Sequence, residues 1–148
     1  MDLTCFNKTP ASQWLDLISS AERHFGYQLT HSIKNYLVMT LQHYTPHLSL
    51  PYTIIGEEYL RAIAMKGSQQ GTELRRIGDE CLILTGLFPG KIQKKNVSLN
   101  YTINIGKQSY LQLSHNPQLY AVDPGVFHEL EHHFVGLVDM LYMMRHLN

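Results

Sequence analysis

A short run near the C-terminus, His128-Glu129-Leu130-Glu131-His132, has the residue types and spacing of a zinc-binding helix. Histidines at positions i and i+4 share one face of a helix, so His128 and His132 can bind the same metal ion. Glu129 would then act as general base on a metal-bound water. This motif is the main catalytic candidate, and its cofactor would be a divalent metal such as zinc.

A catalytic zinc ion needs a third protein ligand, and the usual spacings do not supply one. The metzincin pattern places a glycine three residues after the second histidine and another histidine three residues later. Those positions are Val135 and Val138 here. The thermolysin-like pattern needs a downstream glutamate, and none follows Glu131.

The order of an early histidine followed by an H-x-x-x-H pair on the last helix is similar to that of the DinB-like four-helix-bundle metalloproteins. The resemblance implies His43 or His47 as the first metal ligand, with His128 and His132 as the other two. Di-iron bundles instead use two E-x-x-H motifs. Glu129 to His132 supplies one copy, so that type of site would require a homodimer.

The direction in which the two histidines face argues against a metal site inside a helical bundle. At about 100° per residue, the apolar residues of the last helix fall on one stripe, while His128, His132, Val135 and Asp139 fall nearly opposite. The stripe consists of Phe127, Leu130, Phe134, Leu137, Leu141 and Met144. We therefore expect the histidines on an outer, titrating surface or against a partner subunit.

Composition limits the class of protein. The chain has 148 residues, which suits one domain spanning 1–148. Lys plus Arg and Asp plus Glu are 12 each, and this balance argues against a protein that binds nucleic-acid phosphates. No signal peptide, membrane-spanning run or cysteine framework is visible, so the sequence predicts a cytoplasmic protein that does not act at a membrane.

Turn signals divide the chain into pieces of helical length. Helices are predicted over 12–25, 30–44, 55–65, 68–88 and 124–146. Residues 97–113 fit both an alternating strand pattern and a helix. We favour the helix because no partner strand is in sight, although a hairpin remains open. The prediction is an all-α, single-domain bundle of five or six helices.

Two acidic residues in the long middle helix, Asp79 and Glu80, allow two interpretations. They can form a buried acid cluster with Glu57 and Glu58 of the preceding helix. They can also belong to a solvated helix face whose carboxylates pair with arginines. We favour the solvated face, with Arg61, Arg75 and Arg76 as the partners.

Part of the middle of the chain, roughly 74 to 112, resembles a family of small bacterial all-helical proteins. The resemblance is carried by Gly78-Asp79, Leu82, Gly86-Leu87-Phe88-Pro89, Tyr101, Gly106 and Tyr110. It implies a helix over 97–113, and it implies no assigned activity.

The function favoured by these observations is binding or interaction without intrinsic catalysis and without a cofactor. Apolar residues of the last helix that lie off its main stripe are typical of an interface with a second copy or another protein. These residues are Val135, Val138, Tyr142 and Met143. The alternative is a metal-dependent hydrolase or transferase using His128, Glu129 and His132, completed by His47 or His43.

Overall fold

The computed structural model describes residues 9–26, 28–116 and 123–145, and all regular structure in these residues is helical. The all-α prediction is confirmed. The expected end of the last helix at His146 and the turn at Pro117 lie outside the described residues. Eight α-helices are described: α1 (Pro10–Phe25), α2 (His31–Tyr44), α3 (Ile55–Ala64), α4 (Gly67–Leu87), α5 (Pro89–Gln93), α6 (Leu99–His115), α7 (Pro124–His132) and α8 (Phe134–Met144). A 3₁₀ helix spans Leu50–Tyr52.

The expected number of five or six helices is wrong, and two local features account for the difference. After α4, Pro89 opens the short helix α5, where proline is favoured because the first helical position needs no N–H. The expected last helix is divided at His133, whose backbone leaves the helical region (φ −101°, ψ 15°). The apolar spacing continues through that single residue, so the sequence pattern does not reveal the division.

Residues 97–113 lie mostly in helix α6, which confirms the helix over the hairpin. The helix begins after Ser98, whose hydroxyl accepts a hydrogen bond from the Tyr101 N–H at 3.0 Å and so caps the first turn. Its buried residues recur at helical spacing, whereas Tyr101, one member of the alternating pattern, is largely exposed. The buried set is Thr102, Gly106, Ser109, Tyr110 and Leu113.

Helix α4 is the centre of the bundle. It contacts α2, α3, α5, α6 and α8, and all of its residues from Ile77 to Leu87 are buried. Two glycines allow the closest approaches. A Cβ atom on Gly78 would lie 2.7 Å from the Tyr110 ring, and one on Gly106 would lie 2.9 Å from Cys81 Cβ. Cys81 is fully buried, as expected for a small core residue.

The outer helices complete the core. Helix α1 contacts α2 and α8, and α7 packs on α6. All members of the apolar stripe of the last two helices, from Phe127 to Met144, are buried, which confirms the predicted facing. None of the helices in the described residues is long and apolar enough to cross a membrane.

Candidate functional site

His128 and His132 lie on the outer surface of α7, where the sequence placed them. Their rings are nearly parallel, with an interplanar angle of 14° and centroids 6.4 Å apart. The ring of His132 also meets that of His133 edge-on at 4.8 Å. The structure therefore brings two of the predicted metal ligands together on solvent-exposed helix surface.

Glu129 makes a structural contact in this structure. Its Oε2 accepts a hydrogen bond from the Thr30 hydroxyl at 2.9 Å. Thr30 is the N-cap of α2, and its Oγ1 also accepts a hydrogen bond from the Ile33 N–H at 3.3 Å. The glutamate expected to act as general base thus joins α7 to the first turn of α2.

The other two predicted ligands lie elsewhere. His43 is in the last turn of α2, about 20 Å along the helix axis from Thr30, which contacts Glu129. His47 follows in the loop after α2. Zinc–nitrogen bonds are about 2.1 Å long, so ligands of one ion must converge closely. The described ranges contain no group of three or more His, Cys, Asp or Glu side chains suited to a metal ion. The metal site stays a prediction of the motif.

The structure reveals a buried polar cluster around Asp79 that sequence reasoning missed. Asp79 is fully buried, and its Oδ1 accepts hydrogen bonds from the hydroxyls of Tyr36 at 2.7 Å and Tyr110 at 2.6 Å. Arg75 Nε donates to the Tyr36 hydroxyl at 3.0 Å and lies 3.5 Å from Asp79 Oδ2. The cluster joins α2, α4 and α6, so we call it the Asp79 cluster.

The solvated face expected for Asp79 and Glu80 is wrong, because both carboxylates are fully buried. Two of the three expected arginines do pair with them, since Arg75 pairs with Asp79 and Arg76 with Glu80, whereas Arg61 pairs with Glu58. A usable signal was present in the sequence: between Ile77 and Leu87, these two acids are the only charged residues. A helix that is apolar all round is a buried one, so its charges are also buried.

Burial raises the pKa of Asp79 from its ordinary value of 3.8 to about 6. The hydrogen bonds from Tyr110 and Tyr36 and the charge of Arg75 act in the opposite direction but do not outweigh burial. Burial, together with the Asp79 charge, also raises the pKa of Tyr36 and of Tyr110. Both phenols therefore remain protonated hydrogen-bond donors at neutral pH.

We expect the contribution of Asp79 to stability to grow as the pH falls. Because its pKa is higher in the folded than in the unfolded chain, the folded state binds the proton more tightly. This proton-linked part of the contribution is complete below about pH 4 and is lost as the pH rises through about 6, while the hydrogen bonds and the ion pair of the ionised carboxylate remain. Urea unfolding of wild type and Asp79→Asn over this range measures it. Both proteins contain the same nine histidines, so the difference between their free energies of unfolding isolates the titration of Asp79. A difference that does not change with pH would contradict the raised pKa of Asp79 in the folded chain.

A second buried carboxylate, Glu80, holds the loop between α2 and α3. Its oxygens accept hydrogen bonds from the Ser49 N–H at 2.6 Å, the Ser49 hydroxyl at 2.7 Å and the Leu50 N–H at 3.0 Å. Arg76 Nη1 donates to the Ser49 hydroxyl at 2.7 Å. Lys95 Nζ donates to two backbone oxygens of the same loop, that of Leu50 at 2.8 Å and that of Thr53.

Four of the residues that carry the family resemblance, Gly78, Asp79, Gly106 and Tyr110, meet in the core, whereas Tyr101 is exposed. Gly78, Asp79 and Tyr110 form one side of the Asp79 cluster, and Gly106 packs against Phe134 and Cys81. Comparison of the chain with models of known protein families, with curated proteins and with solved structures finds no match. The family resemblance and the DinB-like resemblance both stay predictions.

Proposed function

We propose that this chain is a helical interaction module that self-associates through the outer face of α3. The supporting observation is a second apolar stripe on that helix, made of Leu60, Ile63 and Ala64 at positions i, i+3 and i+4. All three are exposed, Leu60 by 67% and Ile63 by 37%. Such spacing is typical of a packing face, yet nothing in the described chain covers it.

The inward side of α3 is already occupied. Ile55 and Ala62 are buried and hold the helix against α4 and α6. The outer stripe is therefore additional to the residues that fold α3 into the bundle. Tyr101, which is exposed and whose hydroxyl lies against Gly56, extends the apolar surface onto α6. Contiguous exposed apolar surface of this kind marks interaction sites.

Charge favours a second copy of the chain as the occupant. In an antiparallel, two-fold pairing of α3 helices, Leu60 of one copy lies opposite Ile63 of the other. The same register brings Glu57, in the first turn of α3, to the C-terminal end of the other α3, and Lys66 follows that end by two residues; both residues are exposed. Helix α3 is only about 15 Å long, so we expect a weak dimer that forms as concentration rises.

The last helix offers a less apolar surface than the sequence predicted. Val135 and Tyr142 are exposed on α8, but Val138 is buried in the core and Met143 is half-buried. The exposed side also carries Asp139. We therefore prefer α3 over α8 as the interface. The proposal retains a cytoplasmic location and assigns no nucleic acid, membrane or cofactor to the module.

The substitution Leu60→Glu is expected to abolish self-association, because it places a carboxylate at the centre of the apolar contact. Sedimentation equilibrium over a wide concentration range measures the effect, with circular dichroism to show that the fold is intact. Val135→Glu is the matched control, since it adds the same charge at an exposed apolar position of α8. We expect this control to dimerise like the wild type.

A charge exchange tests the register. Glu57→Lys alone should weaken the dimer, and adding Lys66→Glu in the same chain should restore it. A wild type that stays monomeric at high concentration would overturn the proposal. Dissociation by Val135→Glu, with no effect of Leu60→Glu, would move the interface to α8.

A further inference from the structure

Two clefts on the surface share the side chain of Phe88, which lies between α4 and α5. The larger, of about 690 Å³, lies between α5 and the loop that follows α2, and it is also lined by His47, Pro51, Tyr52 and Lys91. The smaller, of about 200 Å³, lies where the ends of α4 and α8 meet α1, and it is also lined by Trp14, Leu17, Met144 and Arg145. We call the two clefts together the Phe88 groove. None of these residues belongs to the outer stripe of α3.

Tyr52 lies at the larger cleft with 85% of its surface exposed, on a loop that is held from the inside of the protein. The buried carboxylate of Glu80 accepts a hydrogen bond from the Leu50 N–H, two residues before the tyrosine. Lys95 donates to the backbone oxygens of Leu50 and Thr53, on either side of it. An exposed aromatic ring on a fixed loop can contact a partner at a small cost in conformational entropy.

The smaller cleft is apolar apart from one residue at its edge. Trp14, Leu17 and Phe88 are half-buried, and Met144 beside them is buried. Its volume is below the range of about 300–1,000 Å³ seen for small-molecule sites. The cleft is therefore suited to a single apolar side chain of a longer ligand that continues along the groove.

Basic side chains, and no acidic ones, line the described part of the Phe88 groove. His47 and Lys91 in the larger cleft and Arg145 in the smaller are all exposed. Lys91 Nζ lies 5.9 Å from the centre of the Phe88 ring, and the Arg145 guanidinium carbon lies 5.8 Å from that of Tyr142. Neither cation has an acidic partner among the described residues. Because the whole chain contains as many acids as bases, this groove is a local excess of positive charge.

We propose that the Phe88 groove binds an acidic segment of a partner protein, with an apolar side chain between its carboxylates. The apolar side chain enters the smaller cleft beside Trp14, and the carboxylates face Lys91 and Arg145. Charge complementarity selects the acidic partner and orients it on the groove. Tyr52 covers the part of the segment that lies in the larger cleft. A concave apolar cleft suits a side chain of a partner better than a bilayer, into which apolar residues must protrude.

The single tryptophan of the chain makes binding directly measurable, because Trp14 lines the smaller cleft. The probe is a short peptide in which Leu-Phe lies between runs of Asp and Glu. We expect it to shift the Trp14 emission in a saturable way at micromolar to millimolar concentration, and to bind more weakly as salt is added. A peptide with Lys in place of the acids, and one with Ser in place of Leu-Phe, should not bind.

Two exposed positions test the groove without disturbing the core. Lys91→Glu is expected to weaken peptide binding about ten-fold, because it replaces attraction by repulsion. Lys107→Glu makes the same change of charge on α6 at a residue that lines neither cleft, and it should change the affinity less than about two-fold.

Tyr52→Ala should weaken binding about five-fold, with an unchanged melting temperature because the side chain is exposed. Ile54→Ala is its matched control, since Ile54 is 62% exposed and lines neither cleft. Leu60→Glu, which disrupts the proposed α3 interface, should bind the peptide like the wild type.

Three results would overturn the proposal. The first is no binding of the acidic peptide, and the second is equal binding of the lysine peptide. The third is an affinity that neither Lys91→Glu nor Tyr52→Ala changes. Binding of phosphatidylglycerol vesicles in the absence of peptide binding would assign the groove to a membrane surface instead.

Discussion

Asp79→Ala is expected to lower the free energy of unfolding by about 3–5 kcal/mol at neutral pH, the usual cost of removing one partner of a buried charge pair. The change leaves the hydroxyls of Tyr36 and Tyr110 without their acceptor and the Arg75 guanidinium without its counter-charge. These groups come from α2, α4 and α6, so the loss acts on the junction of three helices. Urea denaturation followed by circular dichroism measures the effect.

Two controls define the origin of that loss. Asp79→Asn retains an oxygen that accepts from the two tyrosines, so we expect a smaller loss of about 1–2 kcal/mol. Asp139→Ala removes an exposed carboxylate on α8 and should change stability by less than about 0.5 kcal/mol. Equal stabilities of the alanine variants at positions 79 and 139 would show that the Asp79 cluster does not support the fold.

Glu80→Ala is expected to cost about 3 kcal/mol and to loosen the loop between α2 and α3. The carboxylate satisfies two backbone N–H groups, that of half-buried Ser49 and that of buried Leu50, and no other acceptor of theirs is present among the described residues. Arg76 would also lose a buried partner. Hydrogen exchange of the Ser49 and Leu50 amides, together with urea denaturation, gives the local and global effects.

Glu73→Ala provides the matched control. Glu73 is on the same helix and pairs with the same arginine, with Arg76 Nη2 at 2.8 Å from its Oε2, but it is partly exposed. Pairs of this kind contribute about 0.2–1 kcal/mol, so a small effect is expected. If Glu80→Ala and Glu73→Ala cost the same, or if exchange at Ser49 and Leu50 is unchanged, the role given to Glu80 is wrong.

The apolar periodicity allowed much of the fold to be predicted. The spacing from Phe127 to Met144 identified the buried side of the last two helices and placed His128 and His132 outside. The same reasoning favoured helix α6, whose buried residues follow a helical rather than an alternating pattern. These predictions succeed because a helix that is buried on one side has apolar residues at regular helical spacing in its sequence.

Helix α4 shows where that reasoning reaches its limit. Its stripe predicted one buried face, whereas burial extends all round from Ile77 to Leu87. An arginine four residues before an acid, as in Arg75 with Asp79, occurs on solvated and buried faces alike. Which one applies depends on how many neighbours surround the helix, and that number is set by the packing of the whole chain. The tyrosine partners of Asp79, Tyr36 and Tyr110, come from distant segments and have no local signature.

The position of α1 has a consequence for the order of events during synthesis. The neighbours of α1 in the bundle are α2 and α8, and α8 is made more than a hundred residues after α1. Until then, part of the surface that buries Ile18 and Ala21 has no partner. The bundle therefore closes late, and the nascent chain carries uncovered apolar surface that is a natural target for chaperones on the ribosome.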